Sequence, residues 1–112
     1  MMGGGVQAFL PTKNGQVVCG CFKLKANPDA PTEVLVSAGP QRESSAKTAV
    51  LQQTPFPVFV QKDSGDWEYV GNYRATRYLH KDHRFLEEEP RAKKEGVAGI
   101  LYMERTADSI VA

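Results

Sequence analysis

Between Gln16 and Glu104 the chain is written in short runs of β-forming residues, each closed within four to nine residues by a cluster of Pro, Gly, Asn or Asp. A helix needs about ten uninterrupted residues to bury a stripe, whereas a strand needs only about four to eight. The punctuation therefore selects strands. Gln16-Val17-Val18-Cys19-Gly20-Cys21-Phe22-Lys23-Leu24 follows an Asn14-Gly15 turn signal and reads as one strand. Asn27-Pro28-Asp29-Ala30-Pro31 then breaks the chain, because each proline lacks an amide donor and steers its predecessor away from helix. Glu33–Val36 is a short buried strand that ends at Ala38-Gly39-Pro40. Val58–Lys62, Trp67–Val70 and Tyr73–Leu79 continue the pattern around an Asp63-Ser64-Gly65-Asp66 turn, with Gly71 marking a bulge or sharp bend. Val97–Glu104 is the last strand.

One segment departs from this pattern. Glu43–Gln53 carries Ala46, Ala49 and Val50 at helical spacing, with Gln41 or Ser44 near its start, and Thr54-Pro55-Phe56-Pro57 stops it. Residues 82–95 are charged with few apolar positions, and Pro90 limits any helix there, so a short surface helix and an ordered loop fit equally well. Six or so strands with one clear helix describe an α+β, mainly β domain: a small closed or half-closed β-barrel with one or two short helices. The expected organisation is a flexible N-terminus over 1–14, a single barrel domain over 15–105 and a frayed tail over 106–112.

Composition narrows the function classes. A chain of 112 residues can bury a core without metal or disulfide staples. Its 14 Lys and Arg against 13 Asp and Glu leave a net charge of +1, which excludes a protein that coats phosphates by bulk charge. The total hides a local asymmetry. Arg74, Arg77, Lys81 and Arg84 face Asp82 alone, with His80 and His83 in the same run, and Glu87-Glu88-Glu89 follows at once. No run approaches the roughly 18 apolar residues of a membrane span. Met1-Met2-Gly3-Gly4-Gly5 lacks the basic and apolar regions of a secretion signal, and two cysteines make no disulfide framework. The expected compartment is the cytoplasm, or the nucleus in a nucleated cell.

Catalytic chemistry finds few parts. Cys19 and Cys21 point to one face of their strand, and His80-x-x-His83 is their only obvious partner pair, at a spacing that fits no zinc site. The simpler expectation is that this face of the strand is core, with no metal. Ser37, Ser44, Ser45 and Ser64 lack a G-x-S-x-G setting, and the histidines stand among arginines, so no catalytic residue and no cofactor are expected. The loop Ser37–Ser45 offers a glycine, Arg42, Ser44 and a helix start, which are the ingredients of an anion site and equally of an ordinary capped connection.

The segment Phe59–Arg84 is richer. Phe59, Trp67, Tyr69, Tyr73 and Tyr78 interleave with Lys62, Arg74, Arg77, Lys81 and Arg84. Aromatic faces stack bases, and arginines hold phosphates or base edges. On a regular strand, residues 73, 75, 77 and 79 share one face and 74, 76 and 78 the other, which puts Arg74 with Tyr78 and Arg77 with Leu79. The structural alternative has Trp67, Tyr69 and Leu79 filling the barrel while the basic residues solvate its outside.

The order of these motifs carries a resemblance. E-V-L-V-x-x-G-P from Glu33, a helix, Phe56-Pro57-Val58-Phe59-Val60, W-E-Y-V-G-N-Y-R-A-T-R-Y from Trp67 and the closing V-A-G-I-L-Y-M-E from Val97 together resemble small β-barrels of the PUA/SRA type. Such barrels occur as DNA-reading modules attached to modification-dependent restriction endonucleases. The resemblance implies reading of a modified base or altered backbone, with a base flipped into an aromatic pocket. It assigns stacking to Trp67, Tyr69 or Tyr73 and phosphate contact to Arg74, Arg77 and Lys81, with Arg42 and Ser44 adding a backbone contact. No nuclease motif is present, so cleavage would fall to a separate nuclease or modification enzyme. The expectation is a nucleic-acid-binding module without catalytic activity of its own, its partner DNA in the first place. The alternative is a protein–protein interaction module using exposed aromatics beside Glu87–Glu89. A small-molecule or hydrolytic site would require a deep pocket inside the barrel.

Overall fold

The computed structural model describes residues 9–106. Seven strands and one helix follow in chain order: β1 (Thr12–Lys13), β2 (Gln16–Val17), β3 (Gly20–Lys23), β4 (Glu33–Ser37), α1 (Pro40–Gln52), β5 (Phe56–Gln61), β6 (Trp67–His80) and β7 (Val97–Arg105). β1 and β2 form a small hairpin around Asn14-Gly15. The other five make one curled sheet in the order β3-β5-β6-β7-β4, with β3 parallel to β5 and every other pair antiparallel. No ladder joins the edge strands β3 and β4, so the barrel is half-closed. Pro57 is tolerated in β5 because β3 pairs only from Val58 onward, leaving no partner on that side to need its missing donor.

The curl is concentrated in β6. This strand of 14 residues pairs β5 through its first half and β7 through its second. The register slips opposite Val58/Phe59, beside Gly71, and again between Ala75 and Arg77, where Thr76 is the extra residue. Gly71 sits at φ 121°, and a Cβ there would lie 2.4 Å from the Arg105 side chain. The bend expected at this glycine is present; its positive φ favours glycine, while the Arg105 side chain could move aside for a Cβ.

Phe22, Val34, Val36, Phe56, Val58, Tyr73, Ala75, Leu101 and Met103 fill the inner face of the sheet. α1 closes it with Ala46 and Ala49, both fully buried, whose small side chains let the helix lie close. Truncating Phe22 or Phe56 to alanine costs about 3–5 kcal/mol at such sites. A second cluster lies on the outer face, where Leu79 and Ile100 are covered by Leu86 and Ala92. β7 is thus packed on both sides, which is why Val97–Leu101 is an unbroken apolar run instead of an alternating one.

Several sequence expectations are corrected. The helix begins at Pro40, ahead of the expected Glu43, since proline at the first helical position already has a suitable φ and gives up a donor that would be unpaired anyway. The expected strand 16–24 is split at Val18-Cys19 into β2 and β3. Phe9 and Leu10, expected within a flexible N-terminus, are buried, and the Phe9 and Pro11 carbonyls accept from the amides of Cys21 (3.0 Å) and Val18 (2.9 Å). The remainder of that expected flexible stretch, 1–8, and of the expected frayed tail, 107–112, lies outside the described residues, while Thr106 donates to the Asn72 carbonyl at 2.9 Å. Residues 82–95 form two 3₁₀ turns, Arg84–Leu86 and Pro90–Lys93. Arg91 pins the second by reaching Glu33 (2.8 Å), Glu89 (2.9 Å) and Asp29 (3.1 Å). The cysteines are not core: Gly20 and Phe22 take the inner face, and Cys21 is half-buried on the outer one, its Sγ 3.8 Å from that of Cys19.

Candidate nucleic-acid interface

The bulge at Thr76 decides which side chains share a face. Opposite β7, Arg74 pairs with Glu104, Ala75 with Met103, Arg77 with Tyr102, Tyr78 with Leu101 and Leu79 with Ile100. Tyr73, Ala75 and Tyr78 therefore look inward, and Arg74, Arg77 and Leu79 look outward. The expected pairing of Arg74 with Tyr78 is overturned, because one extra residue inverts the alternation. Arg77 does sit with Leu79, and Arg74 joins them. Tyr78 reaches Glu43 of α1, Oη to Oε1 3.5 Å, and burial together with that carboxylate pushes its phenol up to about 12.

The outward cations differ in what they touch. Arg74 is ion-paired with Glu104 across the strands. The Arg77 guanidinium lies 4.7 Å from the ring centroid of Tyr102 and 5.9 Å from that of Phe85. Lys81 is exposed just past the end of β6, where its amide donates to the Ala98 carbonyl at 2.7 Å.

Trp67 and Tyr69 are 40% and 51% exposed, so the barrel-filling alternative fails for them. It fails for Leu79 as well, which is buried on the outer face against Leu86 and Ile100, whereas Tyr73 belongs to the inner core. Tyr69 packs beside Phe59, centroids 5.6 Å apart, and its hydroxyl donates to Asn72 Oδ1 at 2.9 Å. Eight residues of strand separate Tyr69 from Arg77, about 26 Å if extended. The stacking group and the cation thus lie at two ends of β6. At the aromatic end Lys62 is paired with Glu68 at 3.2 Å, and Lys23 and Lys25 lie beside Lys62 and Asp63.

The structure separates Arg42 from Ser44. A half-open cleft of about 490 Å³ between the Phe9–Thr12 segment and the start of α1 is lined by Phe9, Leu10, Gly39, Arg42 and Ser45, and the Arg42 guanidinium lies 5.8 Å from the centroid of Phe9. Ser44 opens onto a different surface with Lys47 and Leu51, as residues two apart on a helix must. Gly39 caps α1 without a side-chain bond, and Ser44 lies in the second turn, too late to cap it. Among the described residues no three His, Cys, Asp or Glu side chains are grouped as metal ligands.

A curled five-stranded sheet, open between its edge strands and closed inside by one helix, has the architecture of an SRA-like domain. The SRA domain of SUVH5 in complex with hemi-methylated CG DNA superposes with a TM-score of 0.61 at 10% identity, covering 95% of this chain and 77% of that one. SUVH6 of Arabidopsis thaliana, in complex with SAM, gives 0.59 at 16% identity over 94% of this chain and 22% of that one. The SUVH5 SRA domain with methylated CHH DNA gives 0.57 at 11% identity, covering 93% and 77%. No curated protein sequence matches the chain. By sequence it belongs to the family described as a domain of unknown function (DUF6697), which matches residues 1–105.

Proposed function

We propose that this chain is a nucleic-acid-binding module without catalytic activity of its own, that its ligand is DNA, and that it reads a modified base. The observation that carries the proposal is the likeness of its fold to SRA domains crystallised on methylated DNA. The exposure of Trp67 and Tyr69 at one end of β6, and of Arg77 and Lys81 at the other, supports it. In this scheme Trp67 or Tyr69 stacks on a base, while Arg77 and Lys81 hold phosphates. Arg74 joins them by leaving Glu104, a cheap exchange because an exposed ion pair is worth only about 0–1 kcal/mol. Arg42, at the cleft beside Phe9, adds a contact from the other side of the fold; Ser44 would serve a separate phosphate. Tyr73 acts indirectly, by holding β6 against the core. Cleavage or further modification belongs to a separate nuclease or modification enzyme.

A near-neutral chain with few uncompensated cations predicts a shallow salt dependence. The phosphate contacts of Arg74, Arg77 and Lys81 give a slope of log K against log salt of about −2.7 for duplex DNA, and Arg42 as a fourth takes it to about −3.6. Fluorescence anisotropy with methylated, hemi-methylated and unmodified duplexes, each at two salt concentrations, tests this. Tighter binding to a methylated duplex, weakened and made less salt-dependent by Arg77→Ala or Lys81→Ala, is expected. Absence of binding to every duplex at low salt would refute the proposal.

A further inference from the structure

Phe85 is 62% exposed, although its neighbour Leu86 is buried at 2%. The 3₁₀ turn Arg84–Leu86 explains the split: a tight turn cannot direct two consecutive side chains inward, and Leu86 takes the place against Leu79 and Ile100. The ring is nevertheless held. The Phe85 amide donates to His83 Nδ1 at 3.1 Å, the two rings are 4.9 Å apart, and the guanidinium groups of Arg84 and Arg77 lie 5.4 and 5.9 Å from its centroid. Arg77 bridges onward to Tyr102. An exposed aromatic ring fixed from below and ringed by cations is poorly satisfied in water, and it matches what flat, anionic partners need.

The surroundings narrow the partner. At the Trp67 end Lys62 is paired with Glu68, whereas among the described residues neither Arg77 nor Arg84 has an ion-pair partner, and both face the ring. A planar ring between planar guanidiniums fits another π-face better than an aliphatic carboxylate. Glu87 and Glu88, exposed just beyond the turn, would repel a long phosphate track, so the footprint is short.

We propose that Phe85, with Arg77 and Arg84, forms a stacking site for one unpaired nucleobase, whose adjacent phosphate is held by Arg84 and Lys81. It rests on the nucleic-acid reading above but names a stacking residue that reading does not use. The base takes the ring, and the exposed Arg84 side chain turns from the ring to the phosphate.

The test is anisotropy with a duplex carrying one bulged base and with the same duplex carrying an abasic residue at the bulge. The wild-type chain should prefer the base over the abasic position. Phe85→Ala should weaken binding to the bulged base by about tenfold, leave the salt slope unchanged and abolish the preference. Phe85→Trp should restore it. Because the ring is exposed, the thermal melt of Phe85→Ala should match the wild type. Binding unchanged in Phe85→Ala, or reduced equally on both duplexes, overturns the stacking site and leaves the nucleic-acid reading standing. A Phe85-dependent affinity for a poly-glutamate peptide and for no oligonucleotide overturns it in favour of a protein partner. If the wild-type chain binds no nucleic acid, both fall together.

Discussion

Replacing Gly99 by alanine tests whether the β6–β7 ladder fixes the interface. Gly99 lies opposite His80 in the register, and a Cβ built on it would be 2.3 Å from the Leu79 carbonyl oxygen and 2.8 Å from the Tyr78 ring and hydroxyl. Carbon and carbonyl oxygen rest comfortably at about 3.3 Å or more, so the strands must part by about 1 Å. The obstacle is backbone, and no rotamer change relieves it. Overpacking of this kind costs about 1–3 kcal/mol. Weakening one ladder hydrogen bond near Lys81 adds about 1 kcal/mol. A loss of about 2–4 kcal/mol in a domain of this size lowers the melting temperature by roughly 10–30 °C. Differential scanning calorimetry and urea titration measure it. The double variant Gly99→Ala with Tyr78→Phe should be no more stable than Gly99→Ala alone, because the Leu79 carbonyl remains. A melting temperature within a few degrees of the wild type, or full rescue by Tyr78→Phe, would refute the close-approach argument. Since Gly99 adjoins the end of β6, the variant should also weaken any binding that uses Lys81.

Two further outcomes follow from ionisable groups. Hydrogen bonds from Arg91 hold the Glu89 carboxyl down at about 2, below its usual 4.5. The folded state therefore keeps this carboxylate charged where the unfolded chain protonates it, a contribution present above about pH 4.5 and lost as the pH falls through about 2. Arg91→Gln should cost about 1–2 kcal/mol at pH 7, and urea titrations should show the gap to wild type closing towards pH 2; a gap constant with pH would contradict the assignment. Burial, with Cys19 alongside, pushes the Cys21 thiol up to about 12. At pH 8 Cys21 therefore stays almost wholly protonated, so native alkylation should be far slower than in urea. Equal rates by mass spectrometry would refute that environment.

The strand content and the bend at Gly71 were legible because both are local: turn residues punctuate the runs, and glycine marks the strained φ. The bulge at Thr76 was less so. With Thr76 set aside, Tyr73-Arg74-Ala75-Arg77-Tyr78-Leu79 alternates between inside and outside without a fault. The one available sign was Arg77, a charged residue at what strict alternation makes an inward position. The parallel pairing of β3 with β5 and the docking of Phe9 and Leu10 join residues far apart in sequence, and no local propensity encodes them. In the candidate interface, the exposure of Trp67 and burial of Tyr73 depend on how far α1 and the sheet edges reach. Phe85 was hidden for a related reason. Phe and Leu side by side read alike in a charged segment, and only the turn decides which faces water.

Backbone amide shifts recorded while a short hemi-methylated duplex is titrated into the labelled chain give the most direct test of DNA binding through the outer face of β6. Shifts should cluster at Trp67–Tyr69, Arg77–Lys81 and Arg42, saturate at one duplex per chain and fade as salt is raised. A spectrum that does not change, or changes confined to the Pro90–Lys93 turn and the Asp29 segment that Arg91 reaches, would contradict it.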